Sequence, residues 1–421
     1  MRRPRMNDKL PEGSEVKSGS FIVFADDWGR HPSSCQHIFW HLLDEFPVMW
    51  VNTIGMRPPR LNVFTFRRGM EKIGQWLSLR YATTNTPIVR KSSVPNKTPR
   101  VLNPVMWPRV TRRWERSLNR ALLKWQLATA VQQLPRPRVL VTTIPIVAIL
   151  VRILQVERWL YYCVDDFHNW PEMDKRAITE LEHNLIENAD VIIAANEHLK
   201  RHIEEYGRTA VVITHGIDWE MWSSPAVETD SEPISEWLRR YERPWIIFWG
   251  SINWQIDTAI VAAISKRIPR GTILLVGPVN THDPELDRIT RVKMPGSIPQ
   301  SMLPILARHA DVLIMPYCRG PGVDESEPLK LREYLATDRP AVVCDIPATR
   351  KWADAVDIAT TPEDFAARVD FRLRAGINPE QLAARQRVCG ESWTEKARQF
   401  VKVAFDSLGG QRVLLDPGPT D

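Results

Sequence analysis

Two five-residue runs, Ala189-Asp190-Val191-Ile192-Ile193 and Ala310-Asp311-Val312-Leu313-Ile314, are near copies, each reading as a strand entered from a preceding helix. They belong to a longer alternation of short apolar runs and helical stretches, the pattern of a parallel sheet wrapped by helices. In the first half, residues 21–25, 48–52, 139–143, 159–164, 191–195 and 211–214 predict strands, with helices over 36–45 and 173–188. A second set, 245–249, 272–276, 311–315 and 341–344, follows a polar, acidic stretch. At 421 residues the chain exceeds one ordinary core. We read it as α/β, with two related doubly wound halves. The expected divisions are a tail over 1–19, a first domain over 20–222, a linker over 223–244, a second domain over 245–390 and a closing helix over 391–408.

Composition narrows the field. The hydrophobic and charged fractions, 43% and 25%, are those of an ordinary globular protein. No window holds about eighteen consecutive apolar residues, so no membrane-spanning helix is predicted. Residues 1–20 carry Arg2, Arg3 and Arg5 with no apolar run behind them, and read as a disordered tail rather than a secretory signal. Cys35, Cys163, Cys318, Cys344 and Cys389 lie far apart with no metal-ligand spacing. Their odd number points to a reducing compartment and to neither metal nor disulfide roles.

Charge is uneven. The total is +6, yet residues 57–124 hold 16 Lys/Arg against Glu71 and Glu115 alone, so the rest of the chain is net acidic. This predicts an anionic partner for one face of the N-terminal half. Within that region Val110, Trp114, Leu118, Leu122 and Trp125 fall on one helical stripe set among arginines. The expectation is that the stripe packs on the core while the surplus cations face outward. An anionic membrane surface is their natural partner. Nucleic acid is disfavoured, because no nucleic-acid-binding motif accompanies the charges.

The richest local signal is Asp324-Glu325-Ser326-Glu327-Pro328-Leu329-Lys330-Leu331-Arg332-Glu333-Tyr334-Leu335-Ala336, running on through Arg339-Pro340 to Ala341-Val342-Val343-Cys344. It reads as a loop, a short helix and a buried strand, with Pro328 in the first helical turn, where a missing N–H costs nothing. Lys330 and Glu333 share one helix face near the N-terminus, where free N–H groups and the helix dipole favour an anion. A cation at that end is favourable when an anion lies between it and the helix. The pattern therefore suggests a phosphate-bearing ligand, with Glu333 accepting hydrogen bonds from sugar hydroxyls.

Glu325 and Glu333, separated by seven residues around a Pro-x-Lys-x-x-Glu-Tyr-Leu-Ala core, resemble the donor site of family 4 (group 1 type) glycosyltransferases of the GT-B fold. Several fragments add to the resemblance, which covers most of 21–408: Gly250-Ser251-Ile252-Asn253-Trp254-Gln255-Ile256-Asp257, Leu275-Val276-Gly277-Pro278, Tyr162-Cys163-Val164-Asp165-Asp166, His215-Gly216-Ile217-Asp218 and Ser392-Trp393. The resemblance implies two Rossmann-like domains facing across a cleft. It further implies metal-independent, retaining transfer of a hexose-type sugar from a nucleotide-sugar donor of UDP or GDP type. The acceptor would be a lipid-linked saccharide or polysaccharide, and the protein peripheral at the cytoplasmic face of the plasma membrane. The nucleotide sugar is a co-substrate, and no cofactor is expected. In that family the second glutamate, here Glu333, holds the ribose, and the first, here Glu325, lies near the transferred sugar.

Ligands of open α/β sheets bind beyond the carboxyl ends of the strands. Together with the resemblance, this selects Glu333, Gly250, Ser251, Gly277, Pro278, Tyr317, Arg319, Pro328 and Leu329 as donor-binding residues. Lys330 is expected to stabilise the leaving diphosphate, and Glu325 the positive character on the sugar carbon. Asp166 is the expected acceptor base. Arg30, His31 and Asp165 form the acceptor-side expectation, Arg30 and His31 within Trp28-Gly29-Arg30-His31-Pro32-Ser33-Ser34, which stands where the family has a glycine-rich loop. No metal site is expected. The 251–255 turn has neither Arg nor Lys, where many members carry both, so phosphate stabilisation rests on Lys330, with Arg319 or Arg332 beside it. A catalytically silent sugar-nucleotide-binding partner of another transferase is the alternative reading.

Overall fold

The computed structural model describes residues 19–29, 33–52, 97–167, 174–223, 228–320, 323, 324 and 326–406. It forms two compact units. Among the described residues, the first takes the chain up to Ile213 and again from Ala397, and the second is Thr214–Lys396. Residues 1–18 of the expected tail and residues 57–96 of the basic region lie outside the described residues.

The first unit is built on strands β1 (Ser20–Ala25), β2 (Val48–Asn52), β3 (Arg100–Leu102), β4 (Arg138–Thr142), β5 (Arg158–Cys163), β6 (Val191–Ala194) and β7 (Val211–Val212). They form one parallel sheet in the order β3-β2-β1-β4-β5-β6-β7. β1, β4 and β5 are buried along their whole length, which is why they read as continuous apolar runs rather than alternating ones. The helix after β1 is Ser34–Trp40, shorter than the expected 36–45, and the Ser33 side chain caps it by accepting from the Gln36 N–H.

The second unit repeats the plan with β8 (Trp245–Trp249), β9 (Thr272–Val276), β10 (Val292–Gly296), β11 (Val312–Met315), β12 (Ala341–Cys344) and β13 (Asp357–Ala359). Their order is β10-β9-β8-β11-β12-β13, again all parallel. Each sheet thus reverses direction beside its first strand, between β1 and β4 and between β8 and β11. The stretch expected as a linker, 223–244, carries the helix Glu228–Leu238, and its described residues group with the second unit. The last helix is Trp393–Phe405, and its residues from Ala397 group with the first unit. There Phe405 packs edge-on against Phe21 at 5.2 Å, and Arg158 donates to the carbonyl of Ala404 at 2.9 Å, closing the helix end.

The near-copy runs open β6 and β11, which hold different places in the two sheets, so the likeness is not positional equivalence. It reflects one local device used twice. Asp190 accepts from the Trp159 N–H at 2.8 Å and Asp311 from the Trp245 N–H at 2.7 Å. Their own N–H groups return bonds to the same two tryptophan carbonyls, at 2.8 and 2.9 Å. In both units an Ala-Asp step clamps the start of the neighbouring strand.

The basic helix, Arg113–Gln132, corrects the sequence expectation. Its inward face is Glu115, Asn119, Leu123 and Leu127, whereas Trp114, Leu118 and Trp125 point to solvent, Trp125 at 81% exposure. The reason lies in backbone satisfaction. Asn119 exchanges hydrogen bonds with the backbone of Trp107 at 2.6 and 3.1 Å, and Gln126 does so with Val105 at 2.8 and 2.7 Å. Glu115 accepts from the Arg112 N–H at 2.9 Å. Polar side chains are drawn inward to pair an extended segment, and the aromatic stripe is left outside. No helix among the described residues is long and apolar enough to cross a membrane.

Candidate functional site

The switch point of the second unit gathers the donor-side candidates. β8 ends in Trp249-Gly250 and β11 in Met315-Pro316-Tyr317, and Ile256 pairs with Tyr317 just beyond them. The helix Leu329–Leu335 follows with Lys330 and Glu333 on it. Pro328 takes the N-cap position rather than the first turn, and Leu329 is 44% exposed.

Lys330 is half-buried and lies over two aromatic faces, 4.8 Å from the Phe248 centroid and 4.6 Å from that of Tyr317, while donating a hydrogen bond to the Tyr317 hydroxyl. Burial pulls its pKa down to about 8, against the opposing pull of the Glu333 carboxylate. Burial also pushes the Tyr317 phenol up, so it stays protonated. The Lys330 stem fits because position 250 has no side chain: a Cβ there would stand 2.8 Å from Cε and Nζ of Lys330. Gly277 brings the next turn equally close, since its Cβ would fall 1.9 Å from the Gly250 carbonyl oxygen. Both glycines have positive φ, +135° and +152°. Ser251 accepts from the Asn280 side chain at 2.8 Å, and the exposed Pro278 accepts from the Ile252 N–H at 3.0 Å.

Glu333 accepts a hydrogen bond from the indole N–H of Trp249 at 2.6 Å. Trp249 is stacked on Trp222 at 5.5 Å and meets Tyr334 edge-on at 4.6 Å. A buried N–H donor thus aims the Glu333 carboxylate, whose two oxygens can only accept. Nothing local marks Trp249 as this partner, because it is 84 residues away in sequence.

The two arginines expected beside Lys330 are engaged elsewhere. Arg332 is 5% exposed and faces Glu327 at 3.5 Å and Glu391 at 3.6 Å, so it is not available to a phosphate. Arg319 pairs with Asp324 at 2.9 Å and reaches Asp345 at 3.6 Å. Glu325 lies outside the described residues; Glu327 binds Lys351 at 2.7 Å. Glu391 also accepts from Thr214 at 3.2 Å and Lys396 at 2.8 Å. Burial alone would raise the Glu391 carboxyl, but Lys396 and Arg332 bring it below the usual range.

His215 adjoins that ionic group. Burial, reinforced by Arg332 and Lys396 and opposed by Glu327, pulls its imidazole from 6.5 to about 4. With the folded value depressed, the unfolded chain takes up the proton first. Stability is therefore fully present above pH about 6.5 and declines as pH falls towards 4, by about 2–3 kcal/mol. Denaturation midpoints followed across that window should lose this slope in His215→Gln.

In the first unit, Arg30 and His31 lie outside the described residues, but the ends of their loop are well held. Asp26, at the carboxyl end of β1, accepts from Ser33 Oγ at 2.8 Å and from the Gln36 side chain. Gln36 in turn accepts from the Gly29 N–H at 2.9 Å, and Asn52 from the Trp28 N–H at 2.9 Å. Burial raises the Asp26 carboxyl, with those two side-chain hydrogen bonds opposing. Sequence reasoning missed Asp26, Gln36 and Asn52; the position of Asp26 just after the first strand was the available signal. Asp165 and Asp166 follow β5, one strand beyond the switch point. Asp165 is exposed and accepts from the Asp166 N–H at 2.9 Å, so part of the pair is a local turn.

The two doubly wound parallel sheets, with a candidate ligand site at the second switch point, define the GT-B fold. No family model matches the chain. In sequence it is similar to TuaH of Bacillus subtilis, a candidate teichuronic acid biosynthesis glycosyltransferase, with 28% identity over 188 residues. That match spans 43% of this chain and 46% of TuaH, less than half of each. In structure it is similar to Anabaena HepE solved with UDP, at TM-score 0.59 and 13% identity over 91% of this chain and 98% of that one. It is also similar to a Rickettsia africae glycosyltransferase, at TM-score 0.62 and 13% identity over 93% and 98% of the two chains. A Thermosynechococcus elongatus sucrose-phosphate synthase aligns at TM-score 0.60 and 14% identity, over 91% and 98%. A glycosyltransferase is thus what the chain resembles in sequence over part of its length, and the GT-B fold is what it shares with the solved structures.

Proposed function

We propose that the protein is a retaining, metal-independent glycosyltransferase that takes a sugar from a UDP- or GDP-type donor bound in its second unit. Its acceptor is a lipid-linked saccharide or polysaccharide at the cytoplasmic face of the membrane. The observation that carries the reading is the pairing, at the β8/β11 switch point, of a cation held against Gly250 with a carboxylate aimed by Trp249. In this role the Lys330 ammonium meets the diphosphate and Glu333 accepts from ribose hydroxyls. The Gly250 and Gly277 turns give the diphosphate close access to backbone. Glu325 is assigned the electrostatic role at the sugar carbon, Asp166 that of acceptor base, and Arg30, His31 and Asp165 the acceptor side. UDP in HepE and the teichuronic acid pathway of TuaH support the donor and acceptor classes by likeness.

The lack of Arg and Lys in the 251–255 turn favours one competitor, a silent nucleotide-sugar-binding partner of another transferase. Thermal unfolding against UDP, GDP, ADP and their sugar conjugates tests the binding half. At about a hundred times the dissociation constant a ligand adds about 2.7 kcal/mol, or roughly 5–10 °C. We expect one nucleotide class to give that shift and Glu333→Ala to lose it. No shift with any nucleotide would remove the donor-site reading. Donor hydrolysis, absent in Glu325→Ala, separates the enzyme from the silent partner.

A further inference from the structure

We infer that the outer face of the helix Arg113–Gln132 is an interfacial docking element that lays its tryptophans into an anionic lipid surface. Trp125 is 81% exposed, Trp114 51%, Trp107 42% and Leu118 39%. At about 100° per residue, Trp114, Leu118, Ala121 and Trp125 fall within an arc of about 60°, opposite the buried row of Glu115, Asn119, Leu123 and Leu127. Trp107 joins the row at its N-terminal end, its ring 5.7 Å from that of Trp114. Arg113, Arg120 and Lys124, all exposed, form a second row along one flank, and Arg109 and Arg112 add charge at the start of the helix.

A row of indoles beside a row of cations, both facing solvent on one rigid helix, matches the layered chemistry of a bilayer surface. Indole rings settle at the depth of the headgroups, and cations meet lipid phosphates above them. Charge sets aside the obvious internal occupant. Residues 57–96 carry eight Lys/Arg against Glu71 alone and would be repelled by the same face. A second copy would bring like charge to like charge. Single-stranded nucleic acid shares the anionic and stacking chemistry but has no use for Leu118 and Ala121 at the centre of the row, and it becomes an outcome of the test. The inference deepens the reading of a membrane-borne acceptor and rests on it for its purpose, although docking itself requires no catalysis.

The experiment is flotation of the full chain with vesicles of phosphatidylcholine, with and without phosphatidylglycerol, at low and high salt. Trp emission is recorded alongside, and UDP and GDP binding are measured in parallel. We expect binding to the anionic vesicles only, weakened by salt, with a blue shift of emission. Trp114→Ala/Trp125→Ala should lower the vesicle partition about tenfold and remove most of the blue shift, and Arg120→Glu/Lys124→Glu should lower it at low salt. Both pairs are exposed, so circular dichroism and the unfolding midpoint should stay unchanged. Vesicle binding that ignores the tryptophan pair would overturn the inference, as would absence of binding. So would single-stranded oligonucleotide binding that depends on the same tryptophans in place of vesicle binding. Vesicle binding with neither UDP nor GDP bound would sink the donor-site reading and leave docking standing; nucleotide binding without vesicle binding would sink docking and leave the donor site standing.

Discussion

Replacing Lys330 by methionine should lower sugar transfer by about two to three orders of magnitude, the usual cost of losing one preorganised charge on a developing anion. The variant should fold normally, because a methionine can occupy the same channel between Phe248, Tyr317 and the bare backbone of Gly250. The pH profile makes the test specific. With a pKa of about 8 in the free protein, Lys330 is charged below that value and loses its charge above it. Wild-type kcat/KM for the donor should therefore fall as pH rises through about 8, and the residual activity of Lys330→Met should not follow that limb. An unchanged rate in Lys330→Met would leave the diphosphate without the partner assigned to it.

The largest structural effect is expected from Gly277→Ala. A methyl group there would stand 1.9 Å from the Gly250 carbonyl oxygen, in a backbone conformation with φ of +152°, and no side chain rotates away to relieve it. The β8 and β9 turns would have to separate, and the Gly250 seat of Lys330 with them. We expect a loss of about 3–5 kcal/mol in urea unfolding of the second unit, with nucleotide binding lost in parallel. Gly296→Ala is the internal control. It also has positive φ, +89°, but nothing lies within 4 Å of its would-be Cβ, so it should cost only about 1 kcal/mol. Equal effects at the two positions would mean that conformation alone, and not close approach, explains Gly277.

Much of the plan could be read in the chain. Strands buried on both faces leave continuous apolar runs, so β1, β2, β8, β9 and β12 fall where the sequence placed them. Strands β3, β10 and β13 escaped, because short edge or near-edge strands carry mixed residues; β3 is Arg-Val-Leu and only half-buried. Lys330 and Glu333 were legible because residues three apart on a helix share a face whatever surrounds them. Trp249 was not, since its bond to Glu333 joins a strand end to a helix 84 residues later.

The basic helix shows the limit most clearly. Periodicity reveals that Trp114, Leu118 and Trp125 lie on one side, but it contains no term for which side turns inward. That choice fell to Asn119 and Gln126, whose amides pair the backbone at Trp107 and Val105. The chain by itself determined the alternation of strand and helix, the two doubly wound halves and the lysine–glutamate face, because these follow from contacts between near neighbours. Tertiary structure decided which face of the basic helix is bare, which arginines are already paired, and what holds Glu333 and Lys330 in place, because those depend on groups that only folding brings together.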